Sequence, residues 1–174
     1  MIKVFLRALL KPFSFLPALL MMYLIFSFSS QDGTASGNLS YQISGIIVES
    51  ANEAFELHWS GSEIDYYIER LHRPVRKLAH VTEYFLLAVS ISFPLYVYGV
   101  RGLWLPLLAG SFCVGFAALD EYHQSFVAGR GPSKKDVGID SIGILAGVLM
   151  VQFLCFLGRV TIFRPLARRR KTKA

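Results

Sequence analysis

The sequence predicts an all-α fold: an integral membrane bundle of four transmembrane helices, with amphipathic helices in the first outer loop. The first observation is composition, because 53% of the 174 residues are hydrophobic and 17% are charged. The mean hydropathy of +0.46 is too high for an ordinary soluble domain of this size. The second is a set of long apolar stretches separated by polar ones. The third is charge segregation, since every acidic residue lies between Asp32 and Asp140.

The chain opens with a basic segment and the first apolar stretch. Residues 1–11 place three basic side chains four residues apart, which predicts an interfacial amphipathic helix on an anionic membrane surface. Residues 12–30 are the first predicted span, with Pro17 as a potential kink. A basic start before an apolar run also describes a secretory signal peptide, with a weak cleavage site at 34–36. We favour an uncleaved helix because no clean small-x-small site follows the run.

A polar outer insertion, residues 31–74, follows the first span. It contains two helical patterns, one around residues 43–55 and one around residues 64–71 behind an expected Ser62 cap. Pro74 is expected to open the second span, about residues 75–98, because proline suits the first turn of a helix.

The second half of the chain contains two more predicted spans, residues 103–121 and 137–158. In the last span, Gly143 and Gly147 form a small-xxx-small pair, which predicts close packing against another helix. Residues 12–158 are therefore one membrane domain, and residues 159–174 form a basic cytoplasmic tail.

Basic loops set the expected orientation. The N-terminal segment, the turn at Arg101 and the tail are basic and share one side of a four-span bundle, so the positive-inside rule makes both termini cytoplasmic. The insertion and the loop over residues 122–135 then face outward. A lysine and arginine cluster directly after an apolar span indicates a membrane face, so we expect membrane lipids and not nucleic acid as its partner.

Ionisable and amide side chains from three predicted spans meet at the outer edge. Arg76, His80 and Glu83 recur at i, i+4 and i+7 and share one helical face. Arg130 lies between two glycines, where a positive φ would let the loop fold back over the mouth of the bundle. The predicted ligand-binding set is Arg76, Lys77, His80, Glu83, Tyr84, Glu121, Gln124, Arg130, Asp136 and Asp140.

An unpaired charged side chain at membrane depth costs roughly 2.5 to 3.5 kcal/mol. We therefore expect these groups to pair with one another. Arginine suits phosphate and carboxylate groups, and His80, Glu83 and Glu121 are the candidates for acid–base chemistry. The sequence assigns no catalytic residue, because no nucleophile motif accompanies them. The alternative is a solvated helix end, and for Asp136 and Asp140 it is ordinary N-terminal capping.

We expect no metal and no cofactor. His80, Glu83, Glu121 and His123 are suitable metal ligands, but they lack a spacing such as His-Glu-x-x-His. The two cysteines, at positions 113 and 155, lie inside apolar runs and are expected to remain free thiols.

Three motifs carry a family resemblance: "FSFSSQ", "RKLAHVTEY" and "DEYHQSFVAGRGPSKKDVGIDSIG". From about Ser29 to Gly147 the chain resembles the bacterial VanZ-like family, named for a protein associated with teicoplanin resistance. The resemblance implies a helical protein of the bacterial plasma membrane, and it points to the residues of the predicted set other than Arg76. It also implies that Asn replaces Asp140 in many relatives, so the charge there has no general catalytic role.

The leading functional hypothesis is an outward-facing pocket that recognises an anionic or amide-rich envelope component, such as a lipid-linked wall precursor or a glycopeptide. The second is a structural or partner-binding membrane subunit, in which the charges fix helix register and the glycine pair packs on another helix. A small transporter is third, because the sequence has no inverted repeats.

Overall fold

The computed structural model describes residues 12–131 and 133–163, and all regular structure within these ranges is helical. This confirms the all-α prediction. The interfacial helix predicted for residues 1–11 and most of the basic tail lie outside the described residues. The α-helices are α1 (Leu16–Ser29), α2 (Gly33–Ala54), α3 (Gly61–Val97), α4 (Ser111–Gln124) and α5 (Lys134–Gly158). A 3-10 turn, Pro12–Phe15, precedes α1, and π-helical turns, Pro106–Gly110 and Arg159–Phe163, precede α4 and follow α5.

Three of the described helices are long and apolar enough to cross a membrane: Pro12–Ser29, Gly61–Val97 and Lys134–Thr161. The predicted span at residues 103–121 instead consists of the π-helical turn and α4, which has 14 residues. Pro106 lacks the backbone N–H that a continuous α-helix would use there. The count of four spans is therefore not confirmed and remains a prediction.

Helix α3 differs from its predicted course. Pro74 does not open a helix: it lies inside α3, which continues over 37 residues and joins the second outer pattern to the predicted second span. The helix begins at a Ser60 cap, where the Glu63 carboxylate accepts the Ser60 backbone N–H at 2.8 Å, and not at the expected Ser62 cap. At ~1.5 Å per residue α3 is ~55 Å long, well beyond the ~30 Å hydrocarbon layer.

Helix α2 covers the N-terminal part of α3. Its N-cap, Asp32, accepts the Ala35 backbone N–H at 2.7 Å, and this bond, followed by one from the Thr34 hydroxyl, holds the pKa of the Asp32 carboxyl below its ordinary value. The buried residues of α2 are Ser40, Ser44 and Val48. Its apolar residues Ile43, Ile46 and Ile47 are exposed. Both helical patterns predicted in the insertion are thus present.

The core lies where α3 and α5 pack against each other. Gly143 and Gly147 of α5 face the Val81 and Phe85 carbonyls of α3, and a Cβ atom at either glycine would collide with them. The predicted close approach therefore occurs within the chain. The core continues around Tyr84, which is fully buried.

The outer surface of the helices is apolar. Leu19, Tyr23, Leu107, Leu149 and Phe153 are each at least half exposed. Large exposed apolar surface is unfavourable in water but matches a lipid environment. The helices are those of a membrane protein.

Candidate functional site

A cavity of about 430 Å³ lies between α2, α3, the end of α4, the following loop and the start of α5. Most of the predicted set lines it: Arg76, Lys77, His80, Glu121, Gln124, Arg130, Asp136 and Asp140. Glu83 lines an adjoining cleft of about 110 Å³, and Tyr84 is buried in the core. The structure thus gathers side chains that are up to 64 positions apart in the sequence.

Helix α3 supplies one wall of the cavity through its 3.6-residue period. Arg76 and His80 lie one turn apart and both line the cavity. His80 Nδ1 is 3.7 Å from Glu83 Oε2, and both side chains are about a quarter exposed. A second histidine–carboxylate contact in α3 joins His72 Nε2 to Glu69 Oε1 at 3.4 Å.

Helix α5 supplies the opposite wall. Lys77 Nζ lies 2.8 Å from Asp136 Oδ1, and this ion pair joins α3 to the first turn of α5. Because both side chains are about half exposed, the pair contributes about 0–1 kcal/mol to stability. Asp140 lies one turn further and is buried. The carboxylate that neutralises Lys77 is that of Asp136.

A glycine contact places the loop that carries Arg130. Gly33 N–H donates to the Ala128 carbonyl at 3.0 Å, and a Cβ atom at Gly33 would collide with the Gly129 carbonyl. Gly129 has a φ of +72°, a conformation that glycine adopts without strain. The loop packs against the start of α2 and brings Arg130 to the cavity.

The Arg130 guanidinium has unfilled hydrogen-bonding capacity. Its Nη2 donates a long bond of 3.5 Å to the Phe28 carbonyl, while its Nε and Nη1 are buried with no hydrogen-bond partner. Burial, and next the positive charge of Arg76, lower the pKa of Arg130 from its ordinary value. Two like charges therefore share this cavity.

Glu121 does not form an ion pair with Arg130. Glu121 Oε1 instead accepts the Ser133 backbone N–H at 2.5 Å, at the turn that starts α5. None of the ion pairs found among residues 12–131 and 133–163 includes Arg130. The carboxylate stabilises the loop end and leaves the guanidinium available.

Asp120 is the centre of a buried network that sequence reasoning missed. Its Oδ2 accepts from Ser29 Oγ at 2.7 Å, Tyr84 OH at 3.1 Å and Gln124 Nε2 at 3.0 Å. Gln124 Nε2 also donates to Ser29 Oγ at 2.8 Å. The network joins α1, α3 and α4 directly beneath the cavity wall at Gln124. The i, i+4 spacing of Asp120 and Gln124 was a signal for it.

A family model described as VanZ/LLP1 matches residues 14–156. The chain belongs to this family. The match extends from the turn before α1 into α5, so it includes every described residue of the cavity. It confirms the resemblance inferred from the three sequence motifs. No curated protein and no solved structure matches the chain.

Basic and acidic side chains both line the cavity of this VanZ/LLP1 protein. Arg76 and Arg130 supply guanidinium donors, and Gln124 adds an amide. No group of three histidine, cysteine, aspartate or glutamate side chains within the described ranges is placed to hold a metal ion. Cys113 and Cys155 are free thiols.

Proposed function

We propose that this VanZ/LLP1 protein is a bacterial plasma-membrane protein that recognises an anionic component of the cell envelope, on the wall or linked to a lipid, in an outward-facing cavity. In this proposal the chain crosses the membrane four times with both termini cytoplasmic, and the cavity opens at the outer edge. Binding of such a component would alter susceptibility to glycopeptides such as teicoplanin.

The observation that carries the proposal is the state of Arg130. Its Nε and Nη1 are buried without partners, and a buried donor without an acceptor costs about 1–3 kcal/mol. An anion between Arg130 and Arg76 would accept these bonds and relieve the repulsion of the two charges. The planar guanidinium matches the paired oxygens of phosphate and carboxylate groups.

The remaining polar side chains have supporting roles in this proposal. His80 would orient the bound group, and Glu121 would fix the loop that carries Arg130. The His80–Glu83 contact could exchange a proton with a ligand, although binding alone does not require this. We assign no catalytic step.

The proposal is tested by teicoplanin susceptibility in a bacterial host that produces the chain, with the amount of protein in the membrane measured in parallel. Arg130→Lys should abolish the effect of the parent on teicoplanin susceptibility at normal protein abundance. The lysine ammonium cannot form the paired hydrogen bonds of a planar guanidinium. Arg101→Lys is the matched control, since Arg101 lies over the Tyr96 ring, away from the cavity.

Glu121→Gln belongs to the same experiment. It removes the charge but retains a side-chain oxygen that can accept the Ser133 N–H. Because a neutral amide oxygen is a weaker acceptor than a carboxylate, the loop that carries Arg130 should be held less firmly, and the effect should fall while protein abundance stays unchanged. If Arg130→Lys and Glu121→Gln both behave like the parent, the cavity does not carry the function.

The second candidate is a non-catalytic structural or partner-binding membrane subunit. It is favoured by the Asp120 network, which ties three helices together without needing a ligand. In that case, cavity substitutions should affect function only to the extent that they lower the amount of folded protein.

A further inference from the structure

We infer that the anion is carried by a membrane-borne amphiphile, whose head group occupies the cavity while the start of its hydrocarbon chain occupies the adjoining cleft. This inference rests on the proposed function and narrows its ligand to a lipid bearing a phosphate monoester or a similar anion. A soluble anion of the same head-group chemistry would use the cavity alone.

The cleft has an apolar floor built from three helices. Phe28 at the end of α1, Leu39 and Ile43 of α2, and Val75 and Ala79 of α3 line its volume of about 110 Å³. Leu39 and Ile43 are 47% and 40% exposed, so the apolar surface is open at the side. A small, open apolar cleft suits the first segment of a chain whose remainder lies in the bilayer.

The cleft and the cavity share their charged boundary. Arg76, His80 and Arg130 line both of them. An anionic group bound between the two guanidinium groups is therefore adjacent to apolar surface on one side and to polar surface on the other. This juxtaposition matches the junction between the head group and the chain of a lipid.

The location of the cleft also favours a lipid. Helix α3 is long enough to cross a membrane and extends beyond it, and Leu78, beside the cleft residue Ala79, is 65% exposed. Apolar surface exposed along such a helix is in contact with lipid chains. A ligand already in the bilayer can reach the guanidinium groups without leaving it.

The test compares two probes with one head group: dioleoyl phosphatidic acid and glycerol 3-phosphate. Each is titrated onto the full chain in phosphatidylcholine nanodiscs. The parent should bind phosphatidic acid at least about tenfold more tightly than glycerol 3-phosphate, because the bilayer holds the lipid at high local concentration beside the cleft and its chain fills the cleft.

Two tryptophan variants on α2 provide a matched pair. Ile43→Trp fills the cleft, whereas Ile46→Trp makes the same change three residues away, at a position that is 65% exposed and does not line the cleft. Ile43→Trp should weaken phosphatidic acid binding by about tenfold and leave glycerol 3-phosphate binding unchanged. Ile46→Trp should leave both unchanged. Ala79→Leu fills the cleft from α3 if Ile43→Trp does not fold.

The outcomes separate the two proposals. If Ile43→Trp and Ala79→Leu bind phosphatidic acid like the parent, while Arg130→Gln loses both probes, the amphiphile inference is wrong and the anion site stands. Equal affinity of the parent for both probes would also contradict the amphiphile inference and leave the anion site standing. A parent that binds neither probe contradicts the proposed function as well.

Discussion

Asp120 is a buried carboxylate that accepts hydrogen bonds from three donors on three helices and has a second oxygen, Oδ1, without a partner. A buried carboxylate is stabilised mainly by the hydrogen bonds that it accepts, since burial alone disfavours its charge. Its neighbours Tyr84 and Gln124 are consequently held in fixed positions. Gln124 also lines the cavity, so the network positions one part of the cavity wall.

Asp120→Ala should destabilise the protein strongly. Ser29, Tyr84 and Gln124 would lose an acceptor, at about 1–3 kcal/mol for each donor left unpaired. Thermal unfolding of purified protein in one detergent measures the effect. Asp65→Ala is the control, because Asp65 lies exposed on the outer part of α3. Equal unfolding temperatures for the two variants would contradict a structural role for the network.

At the residue scale, helical periodicity predicted the cavity well where its residues share a helix. Arg76 and His80 line the cavity because their spacing places them on one face of α3. The partners across helices could not be predicted. Whether Glu121 meets Arg130 or the Ser133 N–H depends on the loop backbone, which local sequence does not determine. Asp120 was missed because its donors come from three separate helices.

At the element scale, α3 shows why helix existence was easier to predict than helix ends. The outer amphipathic pattern and the apolar stretch were both recognised, but Pro74 was taken as a boundary. The prolyl ring removes one backbone hydrogen bond, and the exposed position of Pro74 lets water satisfy the freed carbonyl. Tertiary packing of α2 and α5 along α3 keeps the helix continuous.

The α3–α5 contact supplies a prediction at the same scale. Gly143→Ala should destabilise the protein by about 1–3 kcal/mol, because the new methyl group must push α5 away from the Val81 carbonyl. Gly138→Ala, in the same helix, has open space at its Cβ and should be neutral or stabilising by up to about 1 kcal/mol. Thermal unfolding of both variants measures the difference. A Gly143→Ala variant as stable as Gly138→Ala would show that the helices separate without cost.

At the scale of the whole molecule, the proposed topology makes a prediction about access. Both cysteines are first replaced by alanine, and single cysteines are then placed at positions 38, 101, 131 and 172. In intact cells, a maleimide that cannot cross the membrane should label positions 38 and 131 but not 101 or 172, because the basic segments face the cytoplasm. Labelling at position 172 from outside the cell would contradict the topology. Labelling in permeabilised cells is the control that shows whether each cysteine is reactive.

The contact between Gly33 and Gly129 joins the covering helix α2 to the loop that brings Arg130 to the cavity. If an anion binds to Arg130 as proposed, its binding and the docking of α2 are linked equilibria, and any coupling free energy between them is reciprocal. If the proposed topology and anion site are right, a molecule outside the cell that pulls α2 away from α3 should weaken binding of the anion without contacting it.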